Sequence, residues 1–300
     1  MIFSPHKTRV GVLRGGPSDE YSQSLETGKL VIDNLPEEYE PVDILVSKNG
    51  VWHTEGLERR PENVLQGLDV VWNALHGTYG EDGKVQRFLR HFGVPQIGSK
   101  EFGSALGMNK ILSKKYLGEA GLKSPIYLEI RSGEEDQNIL SKIHNVMPFP
   151  VMVKPVSSGS SFGLSVAYSA KEALDAIKKA FAFSPTVMVE EYIKGKEVSS
   201  GTIEGFRGDS HYALIPTSLS DLSLEESRLV QESAVKAHRA LGLSGFSSSD
   251  FIVHPKRGVF ILEVNTIPKF KEKSGFLRSL QSAGSSIKEF ISHILSTVKR

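Results

Sequence analysis

Phe260-Ile261-Leu262-Glu263-Val264-Asn265-Thr266 reads as a buried β-strand that carries a carboxylate and an amide inside it. Its residues are apolar and β-prone, and strand alternation turns Glu263 and Asn265 to one face. Upstream, Asp250-Phe251-Ile252-Val253 reads as a second strand, with His254-Pro255-Lys256-Arg257-Gly258 as turn material between them. If that turn closes symmetrically, Asp250 lies opposite Glu263 and shares its face. Three oxygen donors then converge with no lysine or arginine between them. Two buried carboxylates side by side are costly unless a cation compensates. Oxygen-only ligands suit a hard cation, and two carboxylates with room for water and phosphate suit Mg²⁺. Taken alone, the same residues also fit a polar hairpin whose acids simply reach solvent.

Working outward, 300 residues at 39% hydrophobic and 24% charged describe an ordinary globular protein with room for two or three domains. A formal net charge of +1 argues against bulk electrostatic binding to nucleic acid or to a membrane surface. Cysteine is absent, which excludes disulfides, thiol chemistry and cysteine metal sites. No long apolar run and no signal-like N-terminal core are present, so a cytoplasmic enzyme is the expectation.

The chain opens with Thr8-Arg9-Val10-Gly11-Val12-Leu13-Arg14-Gly15-Gly16, a strand entering a glycine turn. Ser18 is expected to cap a helix over about 20–34, and Glu20 sits at its start, suited either to the helix dipole or to a substrate amine. Strands are expected at 42–46 and 69–75. The latter ends in His76-Gly77-Thr78-Tyr79-Gly80-Glu81-Asp82-Gly83, a polar glycine loop of the kind that binds ligands at strand ends of open α/β sheets. Helices are expected over 83–92 and 99–121, the second with Met108-Asn109-Lys110 inside it. Phe149-Pro150-Val151-Met152-Val153-Lys154-Pro155 reads as a strand. The small-residue hairpin Val156-Ser157-Ser158-Gly159-Ser160-Ser161-Phe162-Gly163 follows, able to offer backbone N–H groups to phosphate. It lacks the Gly-Lys-Ser/Thr ending of a P-loop. Val187 to Ile193 is a strand ending in Glu190 and Glu191. Helices are expected over 170–182, 224–241 and 287–298.

In this order the motifs resemble the D-alanine–D-alanine ligases of the ATP-grasp superfamily, over nearly the whole chain. The pieces that carry the resemblance are His76 to Gly83, Val153-Lys154-Pro155 with Gly159-Ser160-Ser161-Phe162-Gly163, Glu190-Glu191-Tyr192-Ile193, and Leu262-Glu263-Val264-Asn265-Thr266. The resemblance implies an α/β fold with three parts: an N-terminal Rossmann-like α/β domain (1–98), a central ATP-grasp subdomain (99–190) and a C-terminal ATP-grasp subdomain (191–300). It implies ATP and Mg²⁺, with Mn²⁺ as a substitute, an amino acid or small peptide as substrate, and a homodimer. By position, Lys110 and Lys154 match the phosphate-binding lysines, Glu190 and the Ile193 backbone the adenine contacts, and Glu197 the ribose contact. The loop from Ser157 to Gly163, Ser161 included, matches the lid over the phosphates. Glu20, His76 and Ser160 match the pocket for the first amino acid, and Ser274 the contact to the second. Asp250, Glu263 and Asn265 match the metal ligands, in agreement with the hairpin.

The implied chemistry is ATP-dependent joining of a carboxylate to an amine through an acylphosphate, as in peptidoglycan precursor synthesis. The departures from the family pattern fall on the acceptor side. Ser248 stands where the family has an arginine, and a serine supplies neither charge nor a bidentate fork. Lys269-Phe270-Lys271 replaces Gly-Met-Thr, and the family's long loop shrinks to Ile215 to Asp221. Asn109 stands for an aspartate and Gln23 for a small apolar residue. Lys269 and Lys271 are the candidates to restore the missing charge.

Overall fold

The computed structural model describes residues 7–156, 163–271 and 274–298. Its first sheet has six strands: β1 (Thr8–Gly15), β2 (Tyr39–Val46), β3 (Trp52–Thr54), β4 (Leu57–Arg59), β5 (Val70–Asn73) and β6 (Gln96–Ile97), in the order β4-β3-β2-β1-β5-β6. β2, β1, β5 and β6 run parallel, and the β3–β4 hairpin extends the sheet antiparallel at one edge. Parallel strands need crossover helices, and α1 (Tyr21–Asp33), α2 (Pro61–Leu65) and α3 (Lys84–His91) provide them. Ser18 does not cap α1. The cap position is Glu20, whose side chain makes no capping bond; Ser18 Oγ donates to the His76 carbonyl at 2.6 Å and accepts from Glu20 N at 3.2 Å.

The expected single helix over 99–121 is two helices, α4 (Glu101–Met108) and α5 (Lys110–Glu119). Asn109 leaves the helical region (φ −88°, ψ 100°), and its side chain accepts a hydrogen bond from Leu112 N at 3.1 Å, capping α5. Short polar side chains compete for backbone groups in this way and so favour caps over helix interiors. Lys110 is therefore the first residue of a helix rather than a mid-helix lysine.

The second sheet comprises β7 (Tyr127–Arg131), β8 (Val151–Pro155), β9 (Ser165–Ala167) and β10 (Thr186–Glu191). It is wholly antiparallel, in the order β7-β10-β8-β9. Helices α6 (Asp136–Val146) and α7 (Ala170–Ala180) cover one face and seal a core with Ile139, Ile143, Ile177, Val151, Val153, Val187 and Val189. Alternation then turns Met152, Lys154, Met188 and Glu190 to the other face.

The third sheet contains β11 (Lys196–Glu204), β12 (His211–Ala213), β13 (Thr217–Ser218), β14 (Phe246–His254) and β15 (Gly258–Asn265). Helix α8 (Leu224–Ala240) lies on one face. There Val230, Ala234 and Ala237 pack with Val198, Phe251, Val253, Ile261 and Val264, joined by Leu106 of α4 and Leu117 of α5. Helices α9 (Gly275–Ser282) and α10 (Ile287–Thr297) take the opposite side, in one core with Ile203, Phe246, Phe270 and Trp72. Trp72 of β5 stacks on Phe246 of β14 at 5.9 Å and meets Phe290 of α10 edge-on at 6.2 Å, so the first and third sheets share a core. The second sheet keeps a core of its own.

Candidate active site

The β14–β15 hairpin does not close with a single register. From the turn outward His254 faces Gly258, Val253 faces Val259, and Phe251 faces Ile261. Continued regularly, that pairing would set Leu262 against Asp250. A bulge between Asp250 and Phe251 takes up Leu262 as the extra residue, and Asp250 faces Glu263 after all. The change of parity is visible in the core: Ile261 and Val264, three apart, both pack against α8. Without the bulge Glu263 would share Ile261's face and be buried under that helix. With it, Glu263 and Asn265 emerge on the open side beside Asp250, and Ser248 pairs with Asn265.

Asp250 accepts hydrogen bonds from Ser199 Oγ (2.5 Å) and Asn265 Nδ2 (3.1 Å). Burial, and then the charge of Glu263, push its carboxyl up to about 6, against the pull of those two donors. Two oxygens of this kind, short of positive charge and flanked by an amide oxygen donor, fit a divalent hard cation.

These side chains line a cavity of about 330 Å³ that also receives Glu20, His76, Glu81, Lys110, Lys269 and Ser274. Lys110 enters from the start of α5, and burial lowers its pKa despite the nearby Glu263. Ser274 caps α9, accepting from Leu277 N at 3.4 Å. Gly275 follows it, pressed so closely on Ser199 that an added Cβ would lie 2.7 Å from the serine Cβ. His76 is buried, with Nε2 2.8 Å from Thr27 Oγ1. Burial, with Lys269 adding to it, drops its pKa to about 3, so the ring is neutral at physiological pH.

Glu20 is buried too, and burial raises its pKa against the pull of Lys269, whose Nζ lies 3.7 Å from Glu20 Oε2. Lys269 therefore stands in the cavity. Lys271 does not: its side chain is 70% exposed and reaches Glu26 at 3.7 Å on α1. Phe270 between them turns into the aromatic core, and the two lysines are held by different acids, Lys269 by Glu20 and Lys271 by Glu26.

On the open face of the second sheet, Glu190 is 1% exposed and forms ion pairs with Lys154 through Oε2 and with Lys114 through Oε1, the latter at 2.7 Å. Burial alone would raise the Glu190 pKa, and the two ammonium groups together hold it below its ordinary value. The Lys114 contact is close in charge but off the alignment of a hydrogen bond, so Glu190 Oε1 is a buried acceptor without an aligned donor among the described residues. Glu190 and Lys154 together give this face of the sheet the charged groups that a nucleotide could meet. Ile193 is buried in the link between β10 and β11. Glu197 is exposed and by alternation shares the cleft face of β11 with Ser199. Ser160 and Ser161 lie outside the described residues.

Three participants were not assigned from sequence. Ser199 holds the metal-site aspartate. Lys114 holds Glu190, and its spacing of four from Lys110 on one helix face was the available signal. Glu81, from the glycine loop, accepts from Gly77 N at 2.8 Å and from Ile267 N and Thr266 Oγ1 at 3.3 and 3.4 Å. Burial takes its pKa to about 7 against the Gly77 bond, with Glu20 adding to the rise. It thereby ties the N-terminal unit to the residues just past the hairpin.

A family model described as "D-ala D-ala ligase C-terminus" matches residues 116–216 and 207–296. The chain is 32% identical to the D-alanine–D-alanine ligase of Geobacter sulfurreducens, over 96% of this chain and 93% of that protein. It is 33% identical to that of Geotalea uraniireducens, over 96% and 94%. Among solved structures, the VanG D-Ala:D-Ser ligase of Enterococcus faecalis superposes with a TM-score of 0.86 at 25% identity, covering 97% of this chain and 99% of that one. The D-alanine–D-alanine ligase of Bacillus anthracis complexed with ATP superposes at 0.79 and 28% identity, covering 97% and 96%.

Proposed function

Because the chain belongs to the D-alanine–D-alanine ligase family, we propose that its cleft joins a substrate carboxylate to an amine at the expense of ATP, with Lys269 serving where the family uses an arginine. The protein is an ATP-dependent ligase of the kind that makes peptidoglycan precursors. What carries the reading is the convergence of Asp250, Glu263 and Asn265 in one cavity with Lys110, Glu20 and Lys269.

Asp250, Glu263 and Asn265 would hold Mg²⁺, which offsets phosphate charge and acts as a Lewis acid when bound. Mn²⁺ would substitute there. Lys110 and Lys154 bind the phosphates of ATP. Glu190 and the Ile193 backbone receive the base, and Glu197 the ribose. Glu20 accepts from the ammonium of the first amino acid, and neutral His76 orients in that pocket without adding charge. Ser274 contacts the second substrate. By the family resemblance Ser161 belongs with the phosphates and Ser160 with the pocket of the first amino acid; both lie outside the described residues. The parts are an N-terminal unit to about residue 98, a central one to about 190 and a C-terminal one beyond. The same proposal includes a cytoplasmic homodimer. Among the described residues no helix is long and apolar enough to cross a membrane.

Ser248 and the short Ile215–Asp221 segment alter the acceptor side of the cleft, so a second reading is the same chemistry on an amino acid or small peptide other than D-alanine. ADP release measured with Mg²⁺-ATP and single amino acids separates the readings. Stimulation by D-alanine supports the family substrate. Stimulation only by another amino acid assigns a different acceptor, and no stimulation by any of them removes ligation from the account.

A further inference from the structure

On the third sheet, away from the cleft, Glu204, His211 and His238 bring one donor atom each to within 4.8 Å of one another. Glu204 ends β11, His211 opens β12, and His238 lies in the last turn of α8. Glu204 is five residues along β11 from Ser199, about 17 Å at strand rise, and its parity places it on the opposite face. The cluster is thus separate from the cation site of the hairpin.

His238 Nε2 stands 3.4 Å and His211 Nε2 3.8 Å from the same atom, Glu204 Oε1. These are long for hydrogen bonds. The first is close to the separation of about 3.3 Å that tetrahedral donors show when bonded at about 2.0–2.1 Å to zinc, and a small turn of the partly buried His211 ring brings the second there.

The outer contacts are those a metal site needs. Glu204 Oε2 is held by Gly245 N at 2.7 Å, leaving Oε1 for the two rings. His238 is fully buried, and its Nδ1 lies 2.8 Å from Ser247 Oγ, which can accept the ring proton and leave Nε2 as the donor lone pair. His293 Nε2 lies 2.7 Å from the Glu204 backbone oxygen. One contact opposes: Arg239 Nη2 lies 3.1 Å from His211 Nδ1. Arg239 is exposed and free to turn to solvent, and Ser210 Oγ, 3.3 Å from the same nitrogen, then takes the ring proton.

The geometry points to a zinc-class divalent transition-metal site formed by Glu204, His211 and His238, with water as the fourth ligand, pinning the β11–β12 end and the last turn of α8 together. The ion is structural and takes no part in the ligation chemistry.

The test uses the full chain carrying Asp250→Asn and Glu263→Gln, so that the cleft does not compete for metal. Chelated and desalted protein is titrated with Co²⁺, whose tetrahedral complexes absorb strongly in the visible. One equivalent is expected to give the tetrahedral bands with a Kd below about 10 µM, and Zn²⁺ to bleach them. Zn²⁺ at about a hundredfold excess over Kd should raise the melting midpoint by about 5 °C. Adding His211→Ala should weaken binding by about 100-fold or more, beyond what outer-shell losses cost. Glu204→Gln provides the same comparison should His211→Ala fail to fold. Weak octahedral-type spectra, or bands and midpoint shifts that survive both substitutions, overturn the proposal.

Discussion

The residues of the cleft are poised by burial more than by contact. His76 is the clearest case, because its folded pKa of about 3 lies well below its ordinary 6.5. A depressed pKa contributes stability that is present above the unfolded value and lost as pH falls towards the folded one. His76 should therefore destabilise the fold between about pH 6.5 and 3, by roughly 1.4 kcal/mol per unit of pH within that window. Denaturation midpoints of wild type and His76→Gln across this range should converge as acid is added, wild type losing more. Parallel curves would deny the histidine that role. Asp250 bears on activity in a different way. Asp250→Asn keeps the bonds to Ser199 and Asn265 in outline but removes half the charge that a cation answers. Turnover should fall by about 10²–10³, in the range of losing one transition-state contact, while the melting midpoint without magnesium holds or rises. Equal turnover in wild type and variant would remove Asp250 from the chemistry.

At the scale of elements, the break at Asn109 decides where Lys110 can reach. Were residues 99–121 one helix, Lys110 would point wherever its phase dictated. The cap starts a new helix and sets the lysine at its first turn, facing the cleft. Asn109→Ala should cost about 1 kcal/mol, the usual worth of an N-cap, and raise the KM for ATP more than it lowers kcat. Asn109→Asp should restore both, since the two residues cap equally well. An unchanged KM in the alanine variant would separate the cap from the nucleotide. The start of α9 is a second such element. A methyl at Gly275 would meet Ser199, and through it Asp250. Gly275→Ala is expected to reduce turnover at least about tenfold while leaving the fold intact by circular dichroism, because overpacking costs only about 1–3 kcal/mol.

The whole molecule divides by its cores rather than by its chain order. The first and third sheets are joined by Trp72, Phe246, Phe270 and Phe290, whereas the second sheet seals its own core under α6 and α7. Between the second and third sheets run polar ties, the buried Glu190–Lys114 pair to α5 and the Arg257–Glu191 pair nearer the surface. The second sheet, with a core of its own, is the part expected to respond most to nucleotide. Amide exchange should be faster across 127–156 and 163–187 than around Trp72, and Mg²⁺-ATP should slow it chiefly there. Uniform protection with nucleotide would argue for a rigid cleft. Trp72→Ala, by contrast, should cost about 3–5 kcal/mol, read from denaturant melts, because it opens the core shared by the two larger sheets.

The sequence by itself determined the parallel sheet, the glycine loop after His76 and the family. It also pointed to Asp250, Glu263 and Asn265 as one cluster on the expectation of a symmetric turn, since β-periodicity and residue chemistry are local properties. It showed the loss of the arginine at Ser248 in the same way. Tertiary structure alone decided how that cluster is reached. Regular pairing from the turn would have matched Asp250 with Leu262, and only the bulge, stabilised by Ile261 and Val264 both packing under α8, brings Glu263 out. It decided between two lysines of equal promise, sending Lys269 to Glu20 and Lys271 to Glu26. It also set Lys114 and Glu81 among the cleft groups. Register, side-chain direction and burial depend on what packs from elsewhere in the chain, and no window of sequence contains that.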